Sequence, residues 1–451
     1  MKSSQNLSGR AYVAIGLMLF ALFFGAGNLI FPAALGQQAG VNVWWAIIGF
    51  ILTGVGLPLL GVLAMGHSGC KNTDELAGRV HPWYGRIYTV LLYLAIGPMF
   101  AIPRTGTVSY EISVKPFLDA SMYSLETWFL LLFFLISLWL SINPAKLVNR
   151  IGKVLTPLLL CAILLLIVKS LISPMASYDV AQEAYATPMI ATVQGFLDGY
   201  NTMDALASLV FAILVIDFVK LSGATSREEI TASTMKAGMI AVGLLGFVYI
   251  FIGNIGATSV GQLGLLETGA PVLAESAKYF FGNLGAVILA VIVLLACLTT
   301  SIGLITSCAS YFHQIYGRIG YKTYAVIFTI ASFVVSMYGL KTIISAAIPI
   351  LMLLYPLTIV LIFLALAHNI FGGRRCVYTV TMAFTLISGV VSGLETAGFA
   401  PATVEFLFKE YVPLHSVGMD WLPLAIVGFI IGLIVKAMTN GTDCGNERRA
   451  N

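Results

Sequence analysis

The chain is written in long apolar blocks parted by short polar ones. Twelve blocks approach the roughly 20 residues that span membrane hydrocarbon. They cover residues 11–35, 42–66, 84–110, 126–143, 154–173, 189–219, 236–258, 283–312, 321–339, 343–368, 377–394 and 421–438. This pattern predicts an all-α polytopic membrane protein of about twelve transmembrane helices. An even count puts both termini on the same side of the membrane. No shift in pattern marks a separate soluble domain, so residues 1–440 read as one transmembrane unit and 441–451 as a tail.

Two blocks are interrupted. The first break lies in Phe23-Phe24-Gly25-Ala26-Gly27-Asn28-Leu29-Ile30-Phe31-Pro32. Hydrocarbon offers no water to satisfy backbone N–H and C=O groups, so a break survives only where it lines a cavity or binds something. Two glycines let the backbone unwind, Pro32 removes a donor and Asn28 adds a polar side chain. A broken helix presents N–H groups at one half-helix end and carbonyls at the other, which suit a carboxylate and a cation or ammonium respectively. The competing reading is a glycine kink used for close helix packing.

The second break is Asp198-Gly199-Tyr200-Asn201-Thr202-Met203-Asp204. Ionisable groups at membrane depth are costly and usually functional. Asp204 is the stronger candidate for burial, because Ala205–Ile216 follows without a charge. The competing reading starts the sixth span at Met203 and leaves 198–202 in a loop. Spans one and six open two successive groups of five. Five is odd, so the second group starts from the opposite side of the membrane, as inverted repeats require. The expected division is 11–173 and 189–368 for the two repeats, with 377–438 as two additional helices. Gly25, Ala26, Gly27 and Asn28, with Gly199, Tyr200, Asn201 and Thr202, are the candidate substrate-binding residues.

Composition agrees with the pattern. Hydrophobic residues make up 59% of the chain and charged residues 10%, against about 25% charged in soluble domains. The net charge of +4 says less than its distribution. With the N-terminus inside, eighteen of the 24 Lys and Arg fall in inner segments, which by the positive-inside rule predicts cytoplasmic N- and C-termini. The inner loops, such as Asn143–Lys153, are short and basic. The outer stretches 174–190, 259–282 and 395–420 are longer and more acidic, and the Gly-rich Asn254–Gly282 reads as a partly helical lid. The first apolar run is too long for a signal peptide and lacks a small-x-small cleavage site. The six cysteines show no CxxC or Cys/His spacing, which predicts reduced thiols with neither metal nor disulfide.

Three further groups carry polar chemistry. Thr299, Thr300 and Ser301 follow Ala296 in the eighth span, and hydroxyl and carbonyl oxygens suit small alkali cations. Serine and threonine in membrane helices also simply bond back to the preceding turn, and on this motif alone that reading is the stronger. Arg104 and Glu111, seven apart, share a helix face. They are candidates for gating an outer vestibule or for pairing with other groups, or form an ordinary interfacial charge pair. Asp204 is a candidate coupling residue. Asn254 reads as a helix–helix hydrogen bond. No glycine loop precedes Lys-Ser/Thr, which excludes a phosphate-binding ATPase within this chain, and the five histidines lie apart from acids at metal-ligand spacing. No clustered titratable set suggests an enzyme. The basic loops read as topology determinants rather than a nucleic-acid surface, and no obligate protein partner is evident. A channel should show a continuous polar stripe along several helices, whereas the polarity here is local.

The whole chain resembles the bacterial branched-chain amino acid:cation symporter family, over about residues 10 to 440. The resemblance is carried by Phe24-Gly25-Ala26-Gly27-Asn28-Leu29-Ile30-Phe31-Pro32. Gly97-Pro98, Ala101-Ile102-Pro103-Arg104-Thr105 and Asn143-Pro144 add to it. More distantly, the first motif and Leu298-Thr299-Thr300-Ser301-Ile302 are similar to the neurotransmitter:sodium symporters and their LeuT-like five-plus-five fold. The resemblance implies import of leucine, isoleucine or valine with a cation across the bacterial cytoplasmic membrane, without a bound cofactor. It implies one sodium held by carbonyls of Ala21, Phe24 and Ala296 and hydroxyls of Thr299 and Thr300, with the substrate carboxylate near Ala26 and Gly27. Asn28 would serve a second sodium. The sequence departs from those symporters in the spacing from Asn28 to Pro32, one residue shorter, and in the second break, which does not align with theirs. Proton coupling through Asp204 is the alternative.

Overall fold

A computed structural model describes residues 8–118, 125–142 and 156–439, and these are helical with connecting turns and no strand. Seven helical stretches are individually long and apolar enough to cross a membrane, and a bent pair makes an eighth. Each of the twelve apolar blocks falls on helix within the described residues. Large apolar side chains such as Trp44, Leu132, Trp139, Leu165, Leu284 and Ile430 stand exposed on the helices. Water would oppose that arrangement, but lipid tails are as apolar as leucine. The basic loop 143–153 and the tail 441–451 lie outside the described residues.

The first block is two helices. α1 (Gly9–Phe23) starts at Ser8, whose hydroxyl accepts the Ala11 N–H at 3.2 Å. α2 (Ala26–Ala39) follows after Phe24 (φ −72°, ψ 96°) and Gly25 (φ −129°, ψ −160°). Any residue adopts these extended angles, and Gly27 lies inside α2. The expectation that the two glycines supply backbone freedom is therefore corrected. Both supply clearance instead. Pro32 sits in the interior of α2 rather than at the break. It has no N–H to give the Asn28 carbonyl.

The second block runs as α3 (Val43–Ile51), one π-helical turn over Leu52–Gly56, and α4 (Leu57–Ser68). After the short α5 (Thr73–Gly78) comes a third block that is also broken, which the sequence reading did not anticipate. α6 (Pro82–Leu94) leads into a π-turn over Ala95–Met99 in which Gly97 leaves helical geometry (φ −93°, ψ −122°) before Pro98. α7 (Ala101–Ser113) continues the span. α8 (Leu125–Ser141) and α9 (Thr156–Ile172) follow.

The sixth block is α10 (Pro188–Asp198), a 3₁₀ turn over Gly199–Thr202, and α11 (Asp204–Leu221), bent by 46°. The long helix does begin beside Met203, where the competing reading started the span, but the residues before it form a helical turn with Gly199, Tyr200 and Thr202 buried. At the junction Met203 takes φ 65°. A left-handed conformation in a non-glycine residue costs on the order of 1–2 kcal/mol. The packing around Met203, only 2% exposed, holds it there.

α12 (Arg227–Leu263) begins with a capping box. The Ser226 hydroxyl accepts the Glu229 N–H at 3.1 Å, and Glu229 accepts the Ser226 N–H at 3.2 Å. Backbone N–H groups of Thr225 and Ser226 hold the Glu229 carboxyl below its usual range. α13 (Gly269–Ile315) bends at Gly282 (φ 61°). The segment expected as a partly helical lid is thus mostly helix. Its first arm lies on α2, where a Cβ on Gly269 would sit 1.7 Å from the Ile30 carbonyl oxygen. α14 (Tyr321–Ser336) and α15 (Leu340–Leu366) complete this part. α16 (Arg375–Thr396) packs on α15 and on α18 (Trp421–Met438), with the short α17 (Ala402–Tyr411) between them in sequence.

Candidate functional site

The first break is held open by one side chain. The Gly25 N–H donates to Asn28 Oδ1 at 3.0 Å instead of continuing the ladder to the Ala21 carbonyl. The Asn28 amide nitrogen donates in turn to Asp204 at the head of α11 and to the Tyr249 hydroxyl of α12. Tyr249 O–H donates to Asp204 Oδ2 at 3.3 Å. A single buried amide therefore ties the two broken spans to each other and to α12. At the head of α2 the first N–H groups have no acceptor within their own helix, so this end carries partial positive charge.

The second break is fastened from α7. The Arg104 guanidinium donates to the Asn201 carbonyl at 2.6 Å and to the Thr202 carbonyl at 3.3 Å. It also lies over the Phe31 ring of α2, 5.1 Å from the centroid. Gly27 makes this reach feasible: a Cβ there would sit 2.8 Å from Arg104 Nη2. Some of the carbonyls that the sequence offered to a ligand are thus already held by an internal cation. The π-turn of the second block meets the same break from behind. Thr53 O–H donates to the Phe196 carbonyl at 2.7 Å, and a Cβ on Gly199 would sit 1.9 Å from Thr53 Oγ1.

Between the breaks lies a pocket with about 370 Å³ of empty space including its mouth, within the usual range for small-molecule sites. Gly25, Ala26, Gly27, Asn28, Arg104, Thr202, Asp204 and Thr300 line it. The apolar wall comes from Leu22, Phe23, Ile96, Ala207, Phe211 and Leu304. Spans one, three, six and eight all contribute.

Thr299 and Thr300 do bond back, as the simpler reading expected: their hydroxyls donate to the Ala296 carbonyl at 2.8 and 3.0 Å. Each hydroxyl oxygen keeps lone pairs after donating, so the arrangement puts two hydroxyl oxygens within hydrogen-bond distance of the Ala296 carbonyl. Thr300 also touches the first break, where a Cβ on Gly25 would sit 2.8 Å from its Oγ1. The Ala21 carbonyl, deprived of the Gly25 N–H, belongs to the same break. Ala21, Phe24, Ala296 and Thr299 are not among the residues lining the pocket.

Other candidates are placed elsewhere. Glu111 pairs with Lys115 at 2.8 Å and not with Arg104. Tyr200 stacks on Tyr355 with centroids 4.2 Å apart, outside the pocket lining. Asn254 accepts from Tyr178 O–H at 2.7 Å. Sequence reasoning missed Tyr249, whose only signal was a phenol inside an apolar block. It also missed the break at Gly97, although Gly97-Pro98 was visible in the text.

Two discontinuous helices meeting at a buried pocket in an all-helical membrane fold define a membrane transport protein. Mhp1, a nucleobase-cation-symport-1 family transporter, in a closed conformation with bromovinylhydantoin bound, superposes with a TM-score of 0.61 at 14% identity, covering 97% of this chain and 94% of that one. MhsT in complex with L-phenylalanine gives 0.56 at 15% identity, covering 94% and 98%. The family model described as branched-chain amino acid transport protein matches residues 8–439, and the chain belongs to that family. It is 45% identical to the branched-chain amino acid permease BrnQ of Bacillus subtilis (strain 168), over 97% of this chain and all of that protein. It is also 45% identical to the branched-chain amino acid permease BraB of the same organism, over 98% and 99%. These relatives are named as permeases, not as enzymes.

Proposed function

We propose that this protein imports leucine, isoleucine and valine by symport with sodium through alternating access. The observation that carries the reading is the pocket between the two breaks, polar at one end and aliphatic at the other, in a chain of the branched-chain amino acid transport family. The half-helix ends of α2 and of the 3₁₀ turn read the charged head group. The apolar wall takes the side chain. Sodium sits at the oxygens of Ala21, Phe24, Ala296, Thr299 and Thr300, a set made wholly of hard donors. Residues 11–173 and 189–368 form inverted repeats that rock against each other, with 377–438 added. The chain lies in the bacterial cytoplasmic membrane with both termini inside.

Labelled leucine uptake into proteoliposomes, with sodium and proton gradients imposed separately, tests the reading. An inward sodium gradient alone should drive accumulation. Accumulation driven by a proton gradient alone, and indifferent to sodium, would replace it with the second reading. One observation favours that second reading: Asp204 is buried, with Asn28 and Tyr249 as hydrogen-bond partners and, among the described residues, no cation within salt-bridge distance. Coupling by protonation of Asp204 would use such a carboxyl.

Substrate chemistry gives a further expected result. Leucine should compete with labelled leucine, while isocaproate and isoamylamine, each lacking one charged end, should compete at least about a hundredfold more weakly. A site built to pair a polar group is left with unsatisfied partners by an analogue that lacks it. Equal competition by isocaproate would refute a zwitterion site.

A further inference from the structure

Arg104 and Asp204 are two buried groups of opposite charge that line one pocket without forming an ion pair with each other. Arg104 is 5% exposed and Asp204 4%. Burying a charge is expensive unless a partner compensates it. Here the direct contacts of each charge are with dipoles. Arg104 has two backbone carbonyls and the face of Phe31, and its Nε is buried with no hydrogen-bond partner. Asp204 has the Asn28 amide and the Tyr249 hydroxyl, both at Oδ2. The Arg104 Nε–H is thus a buried donor still unused. Two unlike-charged half-sites facing one cavity are complementary to a ligand carrying both charges on groups attached to one carbon.

We infer that Arg104 and Asp204 form a split ion pair that a zwitterionic α-amino head group completes, its carboxylate on the Arg104 guanidinium and its ammonium on Asp204. The head of α2, with Gly27 beside Arg104 Nη2, adds partial positive charge on the carboxylate side. The arrangement excludes monovalent ligands for a physical reason. A carboxylate alone leaves Asp204 uncompensated, and an amine alone leaves Arg104 so. It also explains why Arg104 holds the Asn201 and Thr202 carbonyls: those bonds fix the fork in the pocket and join α7 to the second break.

This inference rests on the amino-acid transport reading and deepens it. The test is a crossed comparison in purified protein, measuring binding of leucine, leucine amide and 2-hydroxyisocaproate. Leucine amide keeps the ammonium and loses the carboxylate; the hydroxy acid does the reverse. Arg104→Gln should weaken leucine at least about thirtyfold and change leucine amide less than about threefold, because the amide never used the guanidinium. Asp204→Asn should weaken leucine similarly and spare the hydroxy acid. A variant that weakens all three ligands by one factor, or that keeps the wild-type discrimination, overturns the split pair and leaves Arg104 a clip between helices. Arg104→Lys keeps the charge without the fork and covers the case in which the glutamine variant does not fold. It should retain a preference for leucine over the amide, and loss of that preference also overturns the inference. Failure of the wild type itself to bind leucine would sink the transport reading instead.

Discussion

Gly27→Leu is expected to abolish uptake while the protein still inserts in the membrane. Gly27 has ordinary helical geometry as the second residue of α2, so the substitution does not strain the backbone. The obstacle is steric and specific: a Cβ at this position would sit 2.8 Å from Arg104 Nη2 and 3.2 Å from both Arg104 Cζ and the Phe31 ring. A leucine side chain must push the guanidinium off the Asn201 and Thr202 carbonyls and into the pocket. Displacements of about 1 Å at a positioned group cost on the order of a hundredfold, and here the displaced group also fills the ligand's space. Uptake per inserted molecule should therefore fall at least about a hundredfold. Gly27→Ala should show a smaller loss in the same direction, since the smaller side chain asks less of Arg104. Near-normal transport by Gly27→Leu, at wild-type expression, would show that the pocket does not work in the geometry described.

The breaks were legible because glycine, proline, asparagine and aspartate stand out against hydrocarbon-length apolar text. Hydropathy located both interruptions, and the burial of Asp204 followed from the uncharged run after it. The contacts between the breaks were not legible. Asn28 reaches across 176 residues to Asp204 and 221 to Tyr249, and no spacing rule relates positions so far apart. Tyr249 could not be singled out, since a lone tyrosine in an apolar helix is ordinary. The glycines were read for the wrong property. Sequence alone suggests backbone freedom at a break, whereas Gly25 and Gly27 are short of room, against Thr300 and Arg104. Arg104 and Glu111 share a helix face as their spacing implied. Yet a lysine four residues on takes Glu111, and the longer Arg104 side chain turns inward to the carbonyls of another span. The π-turn at Leu52–Gly56 left no mark beyond two glycines, because a π-turn needs one extra residue rather than a particular one.

Thr299→Ala and Thr300→Val should raise the sodium concentration for half-maximal uptake by on the order of tenfold, about 1.4 kcal/mol each. Both hydroxyls spend their hydrogen on the Ala296 carbonyl, which leaves their oxygens as acceptors only, the state a cation requires. Each substitution removes one oxygen from a shell whose ligands must replace hydration water. Valine keeps the shape of threonine against Gly25, so a loss in Thr300→Val reports the oxygen and not the packing. Coupling through Asp204 predicts a different pattern. The threonine variants would then keep the wild-type sodium dependence and stay driven by a pH gradient. Asp204→Asn would lose accumulation yet retain leucine exchange, because asparagine cannot carry the proton. With the ammonium on Asp204, the same variant loses exchange as well, since leucine binding itself is weakened. Sodium titrations of uptake in the three variants, together with exchange in Asp204→Asn, separate these cases. Unchanged sodium dependence in both threonine variants, alongside an Asp204→Asn protein that exchanges but does not accumulate, would replace sodium by the proton as the driving ion.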